Sequence, residues 1–153
     1  MGDSSGAHLW LVLMKAHRTL ARHAQLSIAS HGIGLSDFTI LEALLHKGPL
    51  LVSELGRIVQ LTSGAMTTAV DRLESQRLVE RSSEASDRRA RVVTLTREGR
   101  AFITRIFGQH SANLDAASSG LTAAERQTLI ALLKKLGKAA ELKLAAEQKP
   151  RPL

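Results

Sequence analysis

Residues 52–96, VSELGRIVQLTSGAMTTAVDRLESQRLVERSSEASDRRARVVTLT, decide the fold. Ser53 is placed to cap a short helix that carries Leu55, Ile58 and Val59. Leu61 falls in a turn, and Thr62 or Ser63 opens a second helix. In that helix Met66, Ala69, Val70 and Leu73 recur at the spacing of one buried face, which leaves Gly64, Thr67, Thr68, Asp71 and Arg72 outward. Two helices joined this tightly make a helix-turn-helix. Beyond it the period drops to two: residues 78–82 and 91–95 read as strands flanking a polar tip at 83–89. A hairpin directly after a helix-turn-helix is a wing.

Working outward, Leu9, Leu13, Ala16, Leu20, Ala24 and Ile28 keep helical spacing, with Lys15, Arg18 and Arg22 on other faces. Trp10, Met14 and His17 form a second apolar stripe beside the first, and Gly32 and Gly34 close the helix. Ser36 is placed to cap the next helix, whose apolar face is Phe38, Leu41, Leu44 and Leu45, before the Gly48-Pro49 break. Thr96 begins a helix with Phe102, Ile103, Ile106, Phe107, His110, Leu114 and Ala117 on one side. After Ser118-Ser119-Gly120, Thr122-x-x-Glu125 is a capping box for a last helix striped with Leu129, Leu132, Leu133, Leu136, Ala140 and Leu144. The expected architecture is mainly α (α+β), a single domain over 1–153. Its winged helix-turn-helix lobe spans 36–96, and its long N- and C-terminal helices span 7–31 and 97–147. The outer stripes exceed what a winged lobe of about 80 residues needs for its core, so they call for a second copy and a homodimer.

The composition limits the chemistry. Lys+Arg outnumber Asp+Glu by 21 to 14, giving a formal charge of +7 and a pI near 10.6, which suits a polyanionic partner. The excess is concentrated: residues 72–105 hold nine arginines, no lysine and five acids. Aromatic residues make up only 3% of the chain, too few for a platform that stacks single-stranded bases. No cysteine is present, which excludes disulfides and thiolate metal sites. The apolar run 9–14 is too short to span a bilayer, so no membrane partner and a cytoplasmic location are expected. The histidines at 8, 17, 23, 31, 46 and 110 include no i, i+4 pair, so neither metal nor cofactor is expected. Nothing matches HExxH, GxSxG or a glycine-rich phosphate cradle, and Gly32-Ile33-Gly34 is too short for one, so the chain does not read as an enzyme.

What remains is duplex DNA. A recognition helix needs short polar side chains in its N-terminal half so that its backbone can settle into the major groove, and Ser63, Gly64, Thr67 and Thr68 supply them. Arg72 is long enough to reach the DNA backbone from the following turn. In the wing, Arg88, Arg89 and Arg91 suit the minor groove or a clamp on phosphates. The competing reading of the wing is a solvated charged loop. For the whole chain it is an architectural or protein-interaction winged-helix protein without an effector.

The segment RLVERSSEASDRRARVVTLTREG, with its Asp87-Arg88-Arg89 tip, Leu95-Thr96 strand end and Gly99, resembles the wing of the MarR family of winged helix-turn-helix transcriptional regulators. Leu61-Thr62-Ser63, Met66-Thr67 and Val70-Asp71-Arg72-Leu73-Glu74 are similar to that family's recognition helix. The resemblance implies a triangular homodimer astride a pseudo-palindromic operator of double-stranded DNA, acting as a repressor released by a small phenolic or anionic effector. It also implies that Asp87 orients a tip arginine, Arg89 above all. An effector pocket drawn from Trp10, Met14, His17, Arg18 and Phe38 is implied as well.

Overall fold

A computed structural model describes residues 4–83 and 91–147. The chain forms two compact units, Met1–Ala116 and Ala117–Leu153. The first holds α1 (Gly6–Ala29), α2 (Leu35–Lys47), β1 (Leu50–Leu51), α3 (Val52–Val59), α4 (Ser63–Ser75), β2 (Val79–Ser83), β3 (Arg91–Leu95) and nearly all of α5 (Arg97–Ala117). The second is built on α6 (Ala123–Glu147). None of the described helices is long and apolar enough to cross a membrane.

The core sits where α2, α3, α4, the sheet and α5 converge. Ile40, Leu41 and Leu44 come from α2, Leu55 from α3, Met66, Val70 and Leu73 from α4, Val79 and Val93 from the sheet, and Ile103 and Ile106 from α5; all are essentially inaccessible to water. Burying a side chain of this size stabilises by about 1.5–3 kcal/mol, so the cluster sets the rotation of every element that contributes to it. The expected inner face of α4 is the buried one, and Gly64, Thr67, Thr68, Asp71 and Arg72 are all exposed. The three antiparallel strands lie in the order β1-β3-β2, with Val79 opposite Leu95 and Ser83 opposite Arg91. Strand β1 was not expected: two residues, Leu50 and Leu51, are too short to display alternation, and they pair with Val93 and Val92.

Two helix starts differ from expectation. Helix α2 begins at Leu35 with Gly34 at its N-cap, so Ser36 lies inside it and Asp37 supplies a negative charge in its first turn. Helix α3 begins at Val52, not after Ser53; the Glu54 carboxylate accepts the Leu51 N–H at 3.0 Å and does the capping. Thr62 caps α4 by accepting the Ala65 N–H, and in the second unit Thr122 and Glu125 exchange both hydrogen bonds of a capping box. The turn between α3 and α4 passes through Gln60 in the left-handed region, φ 57° and ψ 40°.

The outer stripes stay largely uncovered within one chain. In α1 only Ser27 and Ile28 are buried, while Leu9, Trp10, Leu11, Val12, Met14 and Leu20 face solvent. In α6 no residue is buried, and Leu129, Ile130, Leu132, Leu133, Leu142 and Leu144 are exposed.

The wing is tied to α5 at one close approach. Thr96 Oγ1 donates to the Arg77 carbonyl at 2.6 Å and accepts the Gly99 N–H at 2.9 Å. A Cβ at Gly99 would lie 1.8 Å from the Leu78 carbonyl oxygen, a backbone atom that cannot swing aside. Gly99→Ala is therefore expected to destabilise by about 3 kcal/mol or more, read as a lowered midpoint in denaturant titration; a midpoint equal to the parent's would refute the close approach.

Where α1, α2 and α5 meet, His110 is buried. Its Nδ1 lies 3.3 Å from Ser27 Oγ, which also accepts from Asn113 Nδ2 at 2.9 Å, and its ring stands edge-on to Phe38 at 4.9 Å. Burial lowers the His110 pKa; Glu42 opposes the shift and His31 adds to it. A histidine whose folded pKa lies below its unfolded value of about 6.5 gives stability that is complete above that value and lost as pH falls through the folded pKa. Thermal melts from pH 8 to 5 should show the midpoint falling on the acid side, and His110→Gln should remove part of that fall. Superimposable pH profiles for the two proteins would contradict it.

Candidate nucleic-acid interface

The outer face of α4 begins at its N-terminus. Ser63, Gly64, Thr67 and Thr68 are exposed in its first two turns, beside backbone N–H groups that favour an anion. Among the described residues a Cβ built on Gly64 would meet nothing within 4 Å, so none of them demands glycine there. The Thr67 and Thr68 hydroxyls each donate to the carbonyl four residues back, Ser63 at 3.0 Å and Gly64 at 3.1 Å. With their protons so used, they present lone pairs and methyl groups outward. Base amino groups and thymine methyls can meet such a surface, whereas phosphates, being acceptors, gain nothing from it.

Cations flank this face. Arg57, Arg81 and Arg91 line one open cleft together with Ser53, Ser63 and Thr67. Of the expected contacts, the structure thus gathers Ser63, Thr67 and Arg91 in one place. Arg88, Arg89 and Asp87 lie outside the described residues.

Arg72, read as long enough to reach the DNA backbone, is also tied within the lobe. Its Nε donates to Asp37 Oδ2 at 2.7 Å and its Nη2 to Asp37 Oδ1, a two-pronged pair between α4 and the first turn of α2. The hydrogen bonds first, and the carboxylate's charge second, raise the arginine's already high pKa.

Four participants escaped the sequence reading, Arg57 at the edge of the cleft among them. Asp37 is 5% exposed and meets Arg72 across 35 positions, a pairing with no local signal. Arg81 on β2 reaches α4 at several points: Nη1 contacts Asp71 Oδ1 at 2.6 Å and Glu74 Oε2 at 3.0 Å, and Nη2 donates to the Thr67 carbonyl at 3.3 Å. Glu74 also accepts the Arg81 backbone N–H. The acids scattered through the arginine-rich stretch were the one available clue, since Asp71 and Glu74 stand three apart on a single helix face.

The residues expected to form an effector pocket separate. Met14, His17 and Arg18 line a shallow groove walled, among the described residues, by α1 alone. Trp10 is exposed on α1 outside that groove, and Phe38 is 3% exposed in the core of the lobe.

Comparison with known proteins agrees with this geometry. The profile of the MarR family matches residues 31–90. The HTH-type transcriptional regulator MhqR of Bacillus subtilis is 33% identical over 129 residues, covering 84% of this chain and 89% of the regulator. The HTH-type transcriptional repressor Rv2887 of Mycobacterium tuberculosis is 29% identical over 137 residues, 90% of this chain and 99% of the repressor. Among solved structures, a cysteine-to-serine mutant of MarR from E. coli complexed with operator DNA superposes with a TM-score of 0.72 at 26% identity, covering 88% of this chain and 99% of that one. The fold, the exposed polar face of the second helix of the helix-turn-helix and these likenesses converge: the chain belongs to the MarR family of winged helix-turn-helix transcriptional regulators.

Proposed function

We propose that this protein is a cytoplasmic, homodimeric repressor that binds a pseudo-palindromic operator in double-stranded DNA and is released by a small phenolic or anionic effector. The observation that carries the reading is the face of α4. Its inner side is locked in the core, and its outer side offers Ser63, Gly64, Thr67 and Thr68 beside a cleft edged by Arg57, Arg81 and Arg91. In this reading α4 enters the major groove, Thr67 and Thr68 meet base edges, and Arg72 and Arg91 serve the phosphates. Arg88 and Arg89, with Asp87 orienting the tip, grip beside them in the minor groove.

The dimer is supported by apolar side chains that one chain leaves in water: Trp10 at 59% and Leu132 at 58% exposure are typical of α1 and α6. Surfaces of that kind mark a partner. Among the described residues the groove holding Met14, His17 and Arg18 is lined by α1, and in this reading a second copy encloses an effector there. Phe38, buried in the lobe, would act as a wall behind such a site and not as a direct contact.

Footprinting on the protein's own promoter region tests the function directly: a protected, two-fold symmetric site is expected. Titrations at increasing salt should give a log K against log salt slope of magnitude about 5 or more, as several phosphate contacts in each of two lobes require. A flat salt response would mean that arginines are not at the phosphates. Thr67→Val, which keeps the branching and removes the acceptor, should weaken operator binding by about 1 kcal/mol while leaving the salt slope unchanged. Arg89→Ala should weaken it ten-fold or more in the same gel-shift titration, and equal affinity would remove the wing from the interface.

A further inference from the structure

We infer that Asp37 is a positioning residue of the DNA interface: from α2 it grips the inner edge of the Arg72 guanidinium and so presents the outer edge, at a fixed angle, to a DNA phosphate. The inference rests on the DNA-binding reading above and assigns a role to a residue that touches no DNA.

Three features carry it. Asp37 is 5% exposed, and a buried carboxylate is stable only when charge-paired and hydrogen-bonded. Both its oxygens are occupied by Arg72, through Nε and Nη2, and its place in the first turn of α2 sets it at the positive end of that helix. Second, the pair uses only one side of the fork. A guanidinium has five N–H donors, and the two that Asp37 takes lie on one edge. With its side chain 47% exposed, Arg72 turns the rest toward solvent. Third, Arg72 follows Gly64 and Thr68 at intervals of eight and four residues, so it lies on the same face of α4 as the groove-reading residues. An arginine held in this way has already lost the freedom that a flexible arm would lose on binding. It also fixes the approach of α4, because the same pair ties that helix to α2.

The alternative is a staple between α2 and α4 with no bearing on DNA. A double-mutant cycle on the full-length protein separates the two, using Asp37→Asn, Arg72→Gln and the double variant, in which two amides replace the ion pair. The probe is a duplex of the footprinted promoter sequence, titrated at several salt concentrations, with circular dichroism confirming that each variant is folded. Arg72→Gln leaves Asp37 buried and unpaired; if it unfolds, the double variant, which buries no lone charge, carries the comparison.

The expected result is a Kd raised ten-fold or more in the double variant, with a salt slope smaller in magnitude by about 2, one phosphate contact from each lobe of a dimer. Asp37→Asn alone should raise Kd about three- to ten-fold while keeping the slope, since Arg72 keeps its charge but loses its orientation. The double variant should bind no more weakly than Arg72→Gln, because Asp37 acts through Arg72. Arg72→Lys should not restore wild-type affinity, lacking the planar fork. A wild-type salt slope in the folded double variant, whatever its Kd, or wild-type affinity in Asp37→Asn, would overturn the inference while the function stood. A wild-type protein that protects no promoter DNA would overturn the function itself, and the inference with it.

Discussion

Everything at the candidate interface depends on the burial of one face of α4. Met66, Ala69, Val70 and Leu73 are 0–3% exposed, and together they determine which way the helix is turned. Rotating it by a single residue, about 100°, would expose most of these side chains and carry Thr67 with Asp71, or in the other sense Thr68 with Arg72, into the core. The first change forfeits about 1.5–3 kcal/mol for each large side chain, and the second adds the cost of unpaired buried polar groups. No surface interaction in the lobe approaches that sum. The hydrophobic pattern of a single helix therefore decides that Ser63, Gly64, Thr67 and Thr68 face outward, and the chemistry of the face follows.

How much of this could be read in the chain follows the same physics. Periodicity is local, so α4, α5 and the wing strands were legible, as were the exposed positions 64, 67, 68, 71 and 72. Hydroxyl caps were legible at Thr62 and Thr122 but not at Ser5, and caps made by a carboxylate or a bare backbone, as at Glu54 and Gly34, were not legible. Strand β1 left no trace because two residues cannot alternate. Gly99 was visible as part of a motif, but its reason, the Leu78 carbonyl pressed against its Cα, is a tertiary fact. The Asp37–Arg72 pair is the extreme case, since an acid and a base 35 positions apart give no sequence signal until folding brings them together. Phe38 is ambiguous in the other direction: an aromatic on an amphipathic helix reads equally as core or as pocket wall, and its burial in the lobe places it in the core.

The polar contacts around α4 add a second kind of constraint. On one side Arg72 ties the helix to α2 through Asp37; on the other Arg81 ties it to β2 through Asp71, Glu74 and the Thr67 carbonyl. The exposed pairs of Arg81 contribute little, about 1 kcal/mol each at most. Their directions matter more than their energies, because two planar guanidinium groups brace one helix from opposite flanks and resist its tilting. The hydrophobic face sets the rotation of α4 about its axis, and the arginines set its angle.

This division bears on how such a protein can be switched. Tilting α4 alone would break the Asp37 pair and leave a carboxylate uncompensated in a site 5% exposed, at a cost of several kcal/mol. It would also pull Arg81 from three acceptors on the same helix. A small ligand can shift an equilibrium only by its difference in affinity for the two states, commonly 1–3 kcal/mol. That is too little to dismantle the bracing, but enough to move a lobe that stays intact. Under the proposed function, release from DNA would therefore come from moving each braced lobe as a unit and not from tilting α4 within it.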